Sequence, residues 1–211
     1  MKLLSQLMDL SGRKALVVGG AGHIGWSTVE TLTELGATLS ILDLPSACED
    51  RASDLSRLKG HDVAAIGCDL RDEKATRAAV NKALDNLGGL EILVHCAAYT
   101  GVTEANGWAV PFERQTVEAW DTALRVNLTS PFMIAQEARQ ALDASGHGSI
   151  IVFASIYGVI GPELTLYQGT GMANPTAYGA SKGGLLQLTR YLATMLAPGV
   201  RVNAISPGGV W

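Results

Sequence analysis

At 211 residues, with 47% hydrophobic and 17% charged residues, the chain suits one domain, or one and a half, around a sizeable core. A net charge of -4 without a basic run argues against nucleic acid as a partner. Cys48, Cys68 and Cys96 are scattered and odd in number, so no disulfide framework or zinc site is expected, and a reducing, cytoplasmic setting is. The opening "MKLLSQLMDLSGR" is too polar for a signal peptide and too short to span a membrane.

The first predicted strand, "KALVVGG" (14–20), runs into "VVGGAGHIG" (17–25) and a helix over 23–35. Gly19, Gly22 and Gly25 follow a G-x-x-G-x-x-G spacing between strand and helix. Such glycines admit positive φ and let a diphosphate approach the backbone. His23, Ile24 and Gly25 open the helix, whose first N–H groups and positive dipole end suit phosphate. The second strand, 37–43, ends on Asp43, some 18 positions after Gly25. A carboxylate there hydrogen-bonds both adenosine ribose hydroxyls and repels a 2′-phosphate. No Arg or Lys follows directly, Arg51 being farther on, so NAD is favoured over NADP. A helix over 46–58 leads to the third strand, 62–69. Asp69 at its end, with Leu70 beside it, stands where a carboxylate can reach an adenine amino group.

A helix over 72–87 precedes the fourth strand, "LEILVHCAA" (90–98), and a long loop over 99–114. One helix is then expected over 115–143, containing Asn127, before the fifth strand, "GSIIVFAS" (148–155). A second long loop, 156–176, precedes a helix over 176–196 and a sixth strand over 200–206. The strands are apolar almost throughout, as strands buried on both faces are. Their alternation with helices predicts an α/β, Rossmann-like, doubly wound parallel sheet with helices on both faces. No linker or repeat divides the chain, so residues 1–211 are expected to be one dinucleotide-binding domain. Both long loops leave from strand C-termini, where open α/β sheets bind ligands.

Tyr178 and Lys182 stand at i and i+4 in "YGASK", one turn apart on one helix face. A free tyrosine titrates near ~10, too high for a base at neutral pH. An ammonium one turn away is expected to lower that value and fit the phenol for acid–base work. Gly179, Ala180, Gly183 and Gly184 leave room for another surface, cofactor or helix. Assembly into a homotetramer or homodimer is expected through the helices at 115–143 and 176–196, with Ala180, Gly184, Leu185, Leu188, Leu192 and Leu196 as packing residues. The alternative for these residues is ordinary sheet-facing core.

Taken together, the glycine loop, "ILVHCAA", "WDTALRVNLTSPF", "SIIVFASIYG", "YGASK" and "VNAISPGG" resemble the short-chain dehydrogenase/reductase family over essentially the whole chain. The resemblance implies hydride transfer between a nicotinamide and a secondary alcohol or ketone. By it, Tyr178 is the acid/base, Lys182 binds the nicotinamide ribose and tunes Tyr178, and Ser155 steadies the substrate oxygen. Asn127 holds a water that links Lys182 to solvent. Cys96, Ala97 and Ala98 lie beside the adenine ribose, and Pro207, Gly208 and Val210 along the nicotinamide.

Several positions depart from the family pattern. Val18 replaces a threonine, and His23 replaces the middle glycine of the single-domain branch. The glycine spacing is nearer to sugar-nucleotide epimerases and dehydratases that use bound NAD, which makes them the alternative function. A non-catalytic dinucleotide-binding protein is a third reading. "HCAA" replaces two asparagines, alanine and glycine; His95 is read as structural, without partners for a metal. Ala154 precedes Ser155 where a second serine is frequent. Ser155 and Tyr178 are 23 positions apart, longer than usual, which implies an insertion within 162–174. It carries Tyr167, Gln168, Thr170 and Asn174, a set suited to hydroxyl-rich ligands, or else a surface excursion. "SIYG", "LYQGTGM" and "YGASK" also resemble members near bacterial sugar and flagellin-glycan biosynthesis. The family normally continues beyond "SPGGV" into a lid and a last strand, so these are expected to be missing here.

Overall fold

The computed structural model describes residues 7–58, 63–100, 105–169 and 174–209. Val210 and Thr170 therefore lie outside the described residues. Six parallel strands form one sheet: β1 (Lys14–Val18), β2 (Thr38–Asp43), β3 (Val63–Gly67), β4 (Ile92–His95), β5 (Gly148–Phe153) and β6 (Val200–Ile205). Their order is β3-β2-β1-β4-β5-β6, so the direction of winding reverses between β1 and β4. A crevice opens at such a reversal, beyond the strand C-termini. The register puts Val18 opposite both Leu42 and His95. Gly19, Asp43 and Cys96 thus leave the sheet at the same level.

The run "ALVV" is buried along its length because both faces of β1 are covered. Leu16 and Val18 face a cluster with Ala79, Val80, Ile134 and Leu185, while Ala15 and Val17 face Trp26 and Val29. On the first face lie α4 (Glu73–Leu87), α6 (Ser130–Ala144) and α7 (Thr176–Leu196); on the second lies α1 (His23–Glu34). α4 shows why a sequence stretch becomes such a helix. Asp72 caps it by accepting from Ala75 N at 2.9 Å, Gly88 ends it at φ 63°, and Thr76, Ala79, Val80, Ala83 and Leu87 form its buried stripe.

Two predicted helices differ in detail. The stretch expected over 46–58 is two short helices, α2 (Pro45–Asp50) and α3 (Ala52–Arg57), meeting at Arg51. The helix expected over 115–143 is α5 (Val117–Leu124) and α6, joined by a π-turn at Arg125–Thr129. The residues expected to pack against symmetry mates mostly face inward: Leu185 is core, Leu188, Leu192 and Leu196 pack against it, and Gly184 abuts Leu128. Ala180 is exposed, and the large apolar side chains that α7 exposes are Tyr191 and Met195.

Candidate active site and cofactor cleft

The glycine loop is built by close backbone approach. At φ +77°, Gly19 lies so near the Ala97 backbone that a Cβ would overlap it, and a Cβ on Gly25 would overlap the Gly19 carbonyl. Gly22 differs: a Cβ there would meet only the Gly19 oxygen, at 3.5 Å. A side chain at 22 would project into open space at the helix start, which no side chain caps. This cradle has the form a diphosphate requires. A groove of about 920 Å³ begins beside it at His23, Ile24 and Thr28, but runs along the sheet face under α1 past Val94 and Ile151 to Arg13, Glu91 and His147 at the opposite, N-terminal ends of the strands. Tyr178 and Lys182 are not part of its wall, so volume alone would misplace the chemistry.

Asp43 ties the loop to β2. Its carboxylate accepts from Ala21 N at 2.9 Å and Leu44 N at 2.8 Å, leaving lone pairs for ribose hydroxyls. Arg51 is closer than its sequence position suggests. Its Nε donates to the Ala21 carbonyl at 3.1 Å, its guanidinium lies 4.8 Å from the Trp26 ring centroid, and it pairs with Asp54 at 2.8 Å. Ala21 is therefore held through both its N–H and its carbonyl. Asp69 is gripped by Arg71, whose Nη2 approaches to 2.6 Å, and these hydrogen bonds hold its carboxyl below the usual range. Leu70 turns its side chain into the core. Cys96 N and Ala97 N both donate to the Val18 carbonyl, at 2.7 and 3.1 Å, and fix the floor below Ala98. Burial pushes the Cys96 thiol up to about 12, so it is an inert thiol there.

On the other side of the crevice, Ser155 follows β5 and Tyr178, in the first turn of α7, is half-buried against Trp108 and Ala123. The tyrosine hydroxyl is hydrogen-bonded to the Ser155 side chain. The glycines around Tyr178 and Lys182 accommodate protein. A Cβ on Gly179 would lie 3.2 Å from the Tyr157 carbonyl, and one on Gly158 2.7 Å from the Lys182 backbone. The turn Ile156–Gly158 is thereby seated on α7, and Ile156 N also donates to the Pro207 carbonyl at 3.0 Å. Gly208 beyond it borders open space.

Lys182 is 2% exposed, and its Nζ donates to the Phe153 carbonyl at 2.6 Å. Among the described residues no carboxylate pairs with it to offset burial, and its pKa falls to about 8. The Nζ lies 5.7 Å from the Tyr178 ring centroid, over the ring. Here the expectation of a lowered tyrosine is overturned. Burial outweighs the Ser155 hydrogen bond, and the Tyr178 phenol sits above its usual value. Lys182, lowered to about 8, gives up its proton before the phenol would, so no ammonium remains to pull the phenol down where it ionises.

Asn127 is fully buried in the π-turn. Its Oδ1 accepts from Tyr99 N at 2.6 Å, and its Nδ2 donates to Tyr99 O at 3.1 Å and Ser181 Oγ at 3.0 Å. Both N–H donors of the side chain are thus spent in tying the first long loop to α7, and one Oδ1 lone pair is left beyond the Tyr99 bond. His95, read as structural, lies beside Ser130 Oγ at 3.1 Å, while that hydroxyl donates to the Val126 carbonyl at 2.7 Å. Burial, with the charge of Lys182, lowers its pKa to about 3. Sequence reasoning missed the contacts of Arg51 and Ser181, whose partners lie on other elements, and that of Arg71, whose partner Asp69 is only two positions away.

Residues 19–211 match a family model described as enoyl-(acyl carrier protein) reductase. The cis-4-hydroxycyclohexanecarboxylate dehydrogenase of Sinomonas cyclohexanicum is 34% identical over 197 residues, covering 93% of this chain and 72% of that protein. A probable galactose dehydrogenase of Rhizobium meliloti is 34% identical over 211 aligned positions, 97% of this chain and 74% of that protein. Among solved structures, an NAD+-bound xylitol dehydrogenase superposes with a TM-score of 0.80 at 29% identity, covering 96% of this chain and 73% of that one. A match running from the glycine loop onward, and relatives that share a third of their residues with it, place this chain in the short-chain dehydrogenase/reductase family of oxidoreductases.

Proposed function

We propose that the chain oxidises a secondary alcohol of a polyol, sugar or hydroxylated ring, or reduces the matching ketone, with NAD. The observation that carries this reading is the Ser155–Tyr178–Lys182 group, facing the glycine cradle across one sheet edge. The names of the relatives support the substrate class, and the NAD+-bound neighbour together with Asp43 supports the cofactor. The residues fit NAD: the cradle at Gly22 takes the diphosphate, Asp43 the adenosine ribose, and Asp69 and Leu70 the adenine edge. The two remaining Nζ donors of Lys182, buried and aimed at the strand ends, take the nicotinamide ribose.

When bound, the nicotinamide supplies the hydride acceptor or, reduced, the donor. The chain's own work is positional and protonic. Ser155 holds the substrate oxygen. Tyr178, kept protonated by burial, gives its proton to that oxygen as charge develops during ketone reduction. Alcohol oxidation needs the reverse transfer, for which Lys182 supplies a positive charge beneath the ring. Asn127 supports the pair through Tyr99 and Ser181.

The same reading makes the protein a cytoplasmic homo-oligomer. It is supported by three unpaired cysteines, by the exposed Val117, Trp120, Tyr191 and Met195 on α5 and α7, and by the lack, among the described residues, of a helix able to cross a membrane. The test is a panel of polyols, sugars and cyclic alcohols with NAD or NADP, read as reduced-nicotinamide absorbance. Turnover with NAD exceeding that with NADP is expected. NAD that copurifies and a substrate inverted without net nicotinamide change would replace this reading with the epimerase one, which the glycine spacing favours.

A further inference from the structure

The segment after the turn at Ile156–Gly158 is arranged in an unexpected way. From Val159 to Gly169 every residue is exposed except Tyr167. Leu164 and Leu166 turn outward, at 64% and 69% exposure, although burying them would be the ordinary way to dock a loop. The loop docks through a phenol instead. The Tyr167 hydroxyl meets that of Tyr157 at 2.6 Å, with Asn174 Nδ2 at 3.5 Å from it. A short helix, Leu164–Tyr167, aims the phenol, and Glu163 fixes that helix by accepting from Thr165 N at 3.1 Å and Thr165 Oγ1 at 2.7 Å.

The other phenol is placed just as firmly. Tyr157 is two residues past Ser155, and its N–H donates to Ser155 Oγ at 3.2 Å. Its carbonyl packs on Gly179, next to Tyr178, and Gly158 packs on Lys182. The three tyrosines share one electrostatic neighbourhood: Tyr178 feels Tyr167, and Tyr157 feels Tyr178. A polar pair thus stands near the proton-transferring phenol and next to Ser155.

We propose that Tyr157 and Tyr167 read the substrate, and that Tyr167, carried in by the 162–174 excursion, selects alcohols with a second hydroxyl remote from the reacting carbon. The proposal rests on the dehydrogenase reading and names the substrate feature its site recognises. A phenol pair both donates and accepts, so it pairs with a hydroxyl in either sense. A substrate lacking that hydroxyl loses only the contact, and the Ser155–Tyr178 chemistry is untouched.

The test compares xylitol with cyclohexanol as substrates of the full chain and its Tyr167→Phe and Tyr157→Phe variants, with thermal melts to confirm folding. Tyr167→Phe is expected to raise KM for xylitol by roughly tenfold and leave kcat/KM for cyclohexanol within about twofold. Tyr157→Phe should act in the same direction, and the double variant should lose less than the product of the single losses. Equal loss on both substrates, or no loss on xylitol, overturns the proposal. Wild-type turnover of cyclohexanol but not of xylitol overturns it too, while leaving the dehydrogenase reading intact. Absence of turnover with every alcohol and ketone fells both.

Discussion

Lys182→Met should make the protein more stable and inactive. The lysine is buried at 2% exposure with no carboxylate paired to it among the described residues, and burial lowers its pKa from 10.5 to about 8. A displacement of that size corresponds to roughly 3 kcal/mol against the charged form. Methionine removes this penalty but abandons the Phe153 carbonyl, a loss of about 1–2 kcal/mol. The net expectation near neutral pH is a gain of about 1–2 kcal/mol. Its pH dependence has a definite sign. Between pH 8 and 10.5 the unfolded lysine still holds a proton that the folded one releases, so wild-type stability rises with pH across that window. The advantage of the variant should therefore be largest below pH 8 and disappear by pH 10.5. Denaturant unfolding of both proteins at several pH values measures it. A variant less stable than wild type near neutral pH, or a difference that does not change with pH, would refute the account of Lys182 as an uncompensated buried cation.

Two further outcomes follow from the same geometry. His95 is buried as the neutral imidazole, with its pKa lowered from 6.5 to about 3, so wild type should lose stability as pH falls from 6.5 towards 3, by up to ~5 kcal/mol. His95→Asn should flatten that acid limb by about one proton's worth of slope in denaturant midpoints. Gly25→Ala pushes a methyl group into the Gly19 carbonyl, so the loop must shift, and NAD affinity measured by calorimetry should fall at least roughly tenfold while the fold survives.

The parts legible in sequence were those encoded by local spacing. The glycine loop, the i and i+4 tyrosine–lysine pair and the apolar strands each have their meaning within a dozen residues. Hence the sheet, its edge and the Tyr178–Lys182 pairing could be anticipated, while Ser155 was joined to them only by the family resemblance. Effects produced by meetings between distant elements could not. Arg51 looked remote from the cofactor loop, yet the break between α2 and α3 brings it to Ala21. The π-turn that buries Asn127 had a signal in Pro131, which cannot lie in a helix interior and begins the next helix, but the long-helix reading passed over it. The direction of the Tyr178 pKa depended on how deeply both side chains are buried, and i+4 spacing fixes the face, not the burial. The packing face of α7 was misread for a related reason: leucines suit a sheet or a partner equally, and only the neighbours decide.

The most direct measurement is turnover by Tyr178→Phe, with NAD binding determined in parallel. Phenylalanine keeps the ring that Lys182 lies beneath and removes only the hydroxyl shared with Ser155. A loss of at least about 10²-fold in kcat with NAD affinity unchanged is the result expected of a proton-transferring phenol. Activity retained within tenfold, or cofactor binding lost in step with activity, would contradict it.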